Sequence, residues 1–444
     1  MFESALARTR HRVGLGLSVL VVSWLMWMLT PGMPVRHAPH AEAAVRQAGL
    51  VLFEHEWTPG DAMARGDGLG PVFNDRSCVA CHSQGGVGGG GDARHNVAAF
   101  EAHPVEGRPD VQGGVIHSFA TSKECRENIK GLHQFFPIVP GGLKLVGSCF
   151  VETRDFDPVK VQTVNPTALF GAGWIDQISD RSILQQGRQR SWEAIGRELL
   201  AGDLNAMKPG RARVLPDGRI GKFGWKAQFA TLEEFVAAAC ANELGLGNPL
   251  MEQARPWART AVAKVDPDLD ATQFRALVSF VNTLPRPVEM LPDDPQRRTQ
   301  AERGRALFGQ IGCALCHTPQ LGGVEGVYSD FLLHRVIDPN SREGGYTEQP
   351  NVPLPSDHPS PEEWKTPPLW GVADSAPYFH DGASPTLEAA IIRHKGDASS
   401  VSRAFELLPE LDRAAIVSFL KTLKAPSEAR PANPRSSAYI AMAR

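Results

Sequence analysis

Cysteine is scarce in this chain: seven residues in 444, too few for a disulfide scaffold of this size. Net charge is scarce as well. Forty-six basic residues stand against 49 acidic ones, a formal −3, so no basic field points to nucleic acid. There is one long hydrophobic run and not several, which excludes a multi-span membrane protein. No internal period of roughly 20–50 residues marks a solenoid. Strand signals are confined to 111–120 and 143–151. At 42% apolar and 21% charged residues, the chain is not disordered throughout, and its length suits two or three domains. Glycine (43) and proline (35) are plentiful and predict long, turn-rich connections.

The hydrophobic run lies at the N-terminus. Arg8, Arg10, His11 and Arg12 precede an uncharged, mostly apolar stretch from Val13 to Thr30. Basic residues ahead of an apolar run are an export signature. The stretch is about 18 residues, the lower limit for a spanning helix, and Trp24 and Trp27 suit a membrane interface. A small-residue site, Ala41-Glu42-Ala43, sits about ten residues beyond the run, far for signal cleavage. The expectation is a hydrophobic helix within residues 1–45. Its residues 13–30 would anchor a periplasmic body to the inner membrane; a cleaved signal peptide is the alternative.

The cysteines matter by their spacing. Cys78-Val79-Ala80-Cys81-His82 and Cys313-Ala314-Leu315-Cys316-His317 are two copies of Cys-x-x-Cys-His, the attachment motif of c-type haem. Two thiols three positions apart reach the two vinyl groups of one porphyrin, and the adjacent histidine lies under the iron. A zinc ribbon would need its two knuckles close together, and these are far apart in the chain. The cofactors expected are therefore two covalently bound c-type haems, with His82 and His317 as proximal ligands. Of the remaining cysteines, Cys125 and Cys149 in an exported domain predict a disulfide of about 3 kcal/mol in the loop-entropy model. Cys240, within Ala237–Ala241, predicts a buried thiol.

Helices are predicted over 191–201, 231–245, 270–284, 299–309, 386–394 and 409–424, so the chain reads as mainly α with long loops and little β. The boundaries are an export segment 1–45, a first haem domain with an active-site insertion over 46–285, a proline-rich linker 286–298, a second haem domain over 299–428 and a tail 429–444. Residues 338–362 read as a surface loop. The glycine run 85–91 is no phosphate loop, since no Lys-Ser/Thr follows it; it is expected to let backbone approach the porphyrin.

Longer strings carry a resemblance. Thr366-Pro367-Pro368-Leu369-Trp370, Ala376-Pro377-Tyr378-Phe379-His380-Asp381-Gly382 and Thr386–Ala390 resemble the C-terminal domain of the bacterial dihaem cytochrome c peroxidase and MauG superfamily. Gly68–Asn74, Gln84–Gly89, Asn165–Gly173 and Gly221–Ala227 are similar to its di-haem oxidoreductase branch. The likeness spans about residues 48–425 and implies two cytochrome c-like haem domains.

The resemblance also implies roles. Relatives place a distal methionine fourteen residues after the histidine of Tyr-Phe-His-Asp-Gly. Here that position is His394, and no methionine lies between Met290 and Met442. A His/His haem of lower potential than a His/Met haem is implied. His380 is a rival ligand or a pocket residue, and His334 is a spare histidine beside leucines. For the first haem the distal side is expected to be open or weakly held, with His95, His103, His117 and His133 as candidates. The general acid–base that peroxide cleavage requires maps to Glu234, or to Glu233 one position earlier, with Gln228 and Trp225 lining the same pocket. Thr231-Leu232-Glu233-Glu234 also reads as a helix cap. Phe170 matches an inter-haem aromatic, with Trp174 as substitute. Ser375 and Pro377 match carbonyl ligands of a calcium ion.

Three activities stay open. The first is reduction of hydrogen peroxide by electrons from a small c-type cytochrome or cupredoxin. The second is MauG-like oxidation of a protein or organic substrate, and the third is plain electron transfer by two six-coordinate haems. A homodimer is implied by the relatives, and no nucleic acid is expected.

Overall fold

The computed structural model describes residues 39–432 apart from 109, 147, 202–208, 258–265, 337–354 and 356. The run 13–30 and most of 338–362 thus lie outside the described residues. Among the described residues, no helix is long and apolar enough to cross a membrane.

The first half opens with α1 (Ala43–Glu54), whose buried Gly49, Leu52 and Phe53 face the core. A three-stranded antiparallel sheet follows. Its centre is β1 (Val97–Ala102), flanked by β2 (Gln112–Ile116) and later by β5 (Val159–Val164). Between them β3 (Gly142–Val146) and β4 (Cys149–Thr153) form a separate hairpin. Phe100 of β1 packs edge-on to Trp257 at 5.0 Å, giving this sheet its own small apolar cluster with Phe136 and Leu132. Then come α2 (Asp180–Ala201), α3 (Leu232–Glu243) and α4 (Ala271–Asn282). Asp270 and Gln273 close a capping box on α4, and α4 lies on α1 with Phe53 and Phe280 at 5.2 Å.

The second half starts with α5 (Pro295–Gln310). Asp294 caps it through the Arg297 amide, and Pro295 occupies the first turn, where a missing N–H costs nothing. The linker expected over 286–298 therefore ends at Asp294. A short pair, β6 (Leu333–Arg335) with β7 (Glu363–Lys365), leads to α6 (Leu387–Arg393), α7 (Ser399–Glu406) and α8 (Glu410–Leu420). Helix α5 crosses α8 at Gly304, where a Cβ would lie 1.9 Å from the Ala415 carbonyl oxygen. That close approach accounts for a glycine inside an otherwise good helix.

The largest buried cluster is shared by the two halves. It runs from Leu52 and Phe53 through α3 and α4 to Phe331, Leu332 and Trp370 of the second half. A smaller one joins Phe308, Phe405, Ile416 and Phe419.

Two expectations are corrected, and the glycine run is found to pack against protein. The fold is mixed, 35% helix and 15% strand, and not mainly α with little β. The strands β1 and β5 supply much of the difference. Cys125 is buried, Cys149 is exposed, and both are free thiols, so the expected disulfide is absent; Cys240 is free and buried, as expected. The glycine run meets protein at close quarters. A Cβ on Gly85 would lie 2.5 Å from Ala425, one on Gly86 2.9 Å from Ala429, and one on Gly88 2.6 Å from Leu284. Gly85 and Gly86 thus seat residues 425–430, and Gly88 seats the Leu284 side chain.

Candidate functional site

Both Cys-x-x-Cys-His motifs are wound into single tight turns. Ser77 caps the first by accepting from the Ala80 amide, and the His82 amide donates to the Cys78 carbonyl at 3.0 Å. Gly312, with φ 103°, opens the second, and the His317 amide donates to the Cys313 carbonyl at 3.0 Å. The imidazoles are oriented alike. His82 Nδ1 donates to the Gly89 carbonyl at 3.1 Å, and His317 Nδ1 donates to the Tyr328 carbonyl at 3.0 Å. Such a bond fixes the tautomer and leaves Nε2 with its lone pair for a metal. Burial pushes both imidazoles down to about 4, although the carbonyl bonds pull the other way. They are therefore neutral at pH 7, as iron ligation requires.

His394 is built in the same manner. It caps the C-terminal end of α6, and its Nδ1 donates to the Ala390 carbonyl at 2.8 Å. Burial lowers its pKa too. Its ring faces that of His317 with centroids 6.5 Å apart and planes at 72°. Two metal–imidazole bonds of about 2 Å, each with about 1.1 Å from nitrogen to ring centre, span roughly 6 Å. The pair therefore fits one iron held between two imidazoles. Among the described residues, no second histidine ring faces His82 in this way. Of the first-haem candidates, His117, His133 and His103 have partners of their own, whereas His95 stands at the first attachment motif itself. His95 lies beside Asp75 and Cys81, His117 pairs with Glu127 at 2.6 Å, and His133 with Asp157 at 3.1 Å. His103 is buried near Glu101.

A local duplication ties the two motifs together. In the first half the Leu169 amide donates to the Gly88 carbonyl, next to the carbonyl that holds His82. In the second half the Leu369 amide donates to the Val327 carbonyl, next to the one that holds His317. Each leucine is followed by an aromatic residue and a glycine: Phe170-Gly171 and Trp370-Gly371. Both glycines are left-handed, with φ 73° and 70°. The aromatics are exchanged. Trp370 covers Gly171, where a Cβ would lie 2.3 Å from its ring, and Phe170 lies 3.6 Å from the corresponding point on Gly371. The sequence reading found Phe170 but missed this reciprocal arrangement. The signal was available as Leu-aromatic-Gly recurring 200 positions apart.

One cavity surrounds Cys313, Cys316, His317 and His394 and extends to Asn165–Phe170, Trp225 and His380. Of Glu234, the expected proton carrier, and Gln228 and Trp225, expected to line its pocket, only Trp225 lines this cavity; its indole donates to the Asn165 carbonyl at 2.8 Å. Gln228 is exposed and accepts from the Lys226 amide at 2.9 Å. Glu234 is the third residue of α3 and completes a capping box with Thr231. Its carboxylate also takes the Arg219 guanidinium at 2.5 Å. Burial works against its charge, but Arg219 and Thr231 outweigh that and hold the carboxyl below its usual range. Glu233 stands in the same first turn. The structure thus keeps these residues apart.

His380 stacks on Trp364 at 3.6 Å and 9°, and Lys226 sits over the same indole at 3.8 Å. His334 is buried and bonds Asp330 at 2.9 Å, with Cys316 Sγ 3.7 Å away. Ser375 and Pro377 line the cavity, and Gln84 donates to the Ala376 carbonyl between them.

Two attachment turns with tethered neutral imidazoles, one of them faced by a third imidazole, define a dihaem c-type protein. Residues 151–423 match the family model described as di-haem oxidoreductase, putative peroxidase. That match covers more than half of the chain, and the chain belongs to this family. It is 32% identical over 181 residues to the methylamine utilization protein MauG of Methylorubrum extorquens, taking in 38% of this chain and 49% of that protein. The chain thus spans about half the length of the curated relative it matches. Among solved structures, hydrazine synthase of Kuenenia stuttgartiensis aligns with TM-score 0.40 and 14% identity, over 88% of this chain and 90% of that one. A MauG-like protein associated with microbial copper homeostasis gives 0.29 and 17%, over 56% and 91%. A variant of the diheme peroxidase BthA from Burkholderia thailandensis gives 0.25 and 18%, over 36% and 53%. Scores this low carry no fold assignment.

Proposed function

We propose that this chain is an exported, peroxidase-like enzyme that reduces hydrogen peroxide at the His82 haem with electrons relayed from the His317/His394 haem. The observation that carries this reading is the asymmetry of the two motifs: His394 faces His317 at 6.5 Å, and among the described residues no histidine ring faces His82. Bound haem supplies one-electron chemistry and, where an axial position is free, a place for peroxide to bind. The chain's own part is orientation. Gly89, Tyr328 and Ala390 fix the three imidazoles by their carbonyls. Overall, peroxide takes up two electrons and two protons to give two waters. The electrons would come one at a time from a small c-type cytochrome or cupredoxin. Calcium at the Ser375 and Pro377 carbonyls, homodimerisation and a periplasmic location anchored by residues 13–30 belong to the same proposal.

The likeness to MauG favours a second reading, in which the oxidised haems draw electrons from a protein or organic substrate. One experiment tests the first reading. Electron paramagnetic resonance is recorded on the fully oxidised and half-reduced protein, with and without one equivalent of peroxide. A high-spin ferric signal consumed by peroxide is expected. Two low-spin signals indifferent to peroxide in both redox states would leave an electron-transfer cytochrome. Consumption of the signal without turnover of any reduced donor would favour the MauG-like reading.

A further inference from the structure

The cavity around His317 and His394 is unusual in its charges. Lys222 and Lys365 line it, and among its described lining residues there is no aspartate or glutamate. Lys222 is satisfied: its Nζ donates to the Asp176 and Ile178 carbonyls at 2.9 and 2.8 Å. Lys365 is not. Its side chain is buried, 6% exposed, and Nζ lies 5.4 Å from the centre of the Phe331 ring. Among the described residues, no acceptor lies within hydrogen-bond reach of that Nζ. The nearest carboxylate to influence it is Asp330. Both Asp330 oxygens are committed, one to the Leu332 amide at 3.0 Å and the other to His334 at 2.9 Å. The backbone gives Lys365 no freedom to leave. It sits in β7 opposite Leu333, and its amide donates to the Trp225 carbonyl at 2.9 Å. In the duplicated half, the matching residue is Asn165. Its amide side chain is fully used, donating to the Gly91 carbonyl at 3.0 Å and to Asn96 Oδ1 at 2.8 Å. The second half has thus replaced a protein-bonded amide with an unbonded cation.

A buried ammonium without an acceptor is costly. A carboxylate entering the cavity would remove that cost by a charge-assisted hydrogen bond. We propose that Lys365 is the anion-holding residue of this cavity and that the group it holds is a carboxylate, supplied by a propionate of the second haem. The inference rests on the dihaem reading. The other source of the same chemistry is a free carboxylate ligand.

The test uses the full-length holoprotein and the variants Lys365→Met and Lys365→Arg. Mass spectrometry first counts the attached haems. Absence of two haems in the unaltered protein would sink the dihaem reading itself, separately from the role of Lys365. With both haems present, the midpoint potential of the His317/His394 haem is measured by spectroelectrochemistry. Removal of a cation beside a haem carboxylate favours ferric iron, so Lys365→Met is expected to lower that potential and Lys365→Arg to restore it. Acetate titrated into the unaltered protein is expected to leave the haem spectrum unchanged, because the site is filled. An unmoved potential together with an acetate-induced shift that Lys365→Met abolishes would reassign the carboxylate to a free ligand and overturn the propionate. An unmoved potential and no acetate effect would overturn the proposal altogether.

Discussion

At the scale of single residues, three histidines share one device, a carbonyl on Nδ1, yet among the described residues only His317 and His394 face each other. His394→Met is expected to keep the second haem six-coordinate and raise its potential, as thioether ligation does; redox titration of that haem checks it. Glu234 illustrates how far sequence takes such an assignment. Its two readings, proton carrier and helix cap, were both legible in Thr231-Leu232-Glu233-Glu234, and only the Arg219 ion pair and the Thr231 capping box separate them. Thr231→Ala is expected to cost about 1 kcal/mol in denaturant unfolding. Glu234→Gln preserves the box but removes the Arg219 ion pair, so it is expected to cost less than about 1 kcal/mol and to leave peroxide turnover unchanged. A drop in turnover of roughly 100-fold at so small a cost in stability would return Glu234 to the proton-carrying role. His103 offers a pH handle. Burial pushes it down to about 4, against the pull of Glu101, so the native state resists its protonation. Below an unfolded value of about 6.5 the unfolded chain takes up the proton first, and stability falls as pH drops from there towards 4. His103→Gln is expected to flatten that slope, measured as unfolding free energy against pH.

At the scale of elements, α3, α4, α5, α6 and α8 lie close to where hydrophobic spacing and caps placed them. The N-terminal end of α5 was misjudged because prolines were read as linker, whereas Asp294-Pro295 is a helix start. Of the three-stranded sheet, β2 falls within the strand signal at 111–120, and the other two strands were missed for different reasons. Val159–Val164 alternates apolar and polar residues and was readable. Val97–Ala102 was not, because three alanines and a glutamate among its six residues give little strand propensity; its pairing to β2 and β5 on both sides holds it extended. The recurrence of Leu-aromatic-Gly is visible in the sequence, but the exchange of rings is not, since nothing local in Leu169-Phe170-Gly171 says which ring will cover the glycine. Gly171→Ala tests the seat. It combines a left-handed backbone with a collision against Trp370, and a loss of about 2 kcal/mol is expected, seen as a lowered thermal midpoint of the holoprotein.

At the scale of the whole molecule, the two attachment motifs were legible in sequence because covalent haem demands fixed spacing, whereas His394 was implied only by the resemblance to the dihaem peroxidases. What sequence did not disclose is that the two halves share their largest core. The boundary at residues 286–298 separates motifs, and the packing continues across it, through Trp370, Phe331 and Leu332. Domain boundaries drawn from proline content follow the course of the backbone, whereas cores follow side chains that meet from distant positions.

The exchange of Phe170 and Trp370 between the halves has a consequence for inheritance. Each half carries the socket for the other's plug, so neither can drift in size alone: a larger ring at 170 calls for a shift at 371, and a side chain at 171 calls for a smaller ring at 370. The halves are thus bound to change as a pair, and a hybrid joining one half to its counterpart from a distant relative should assemble poorly unless both sockets travel with their plugs.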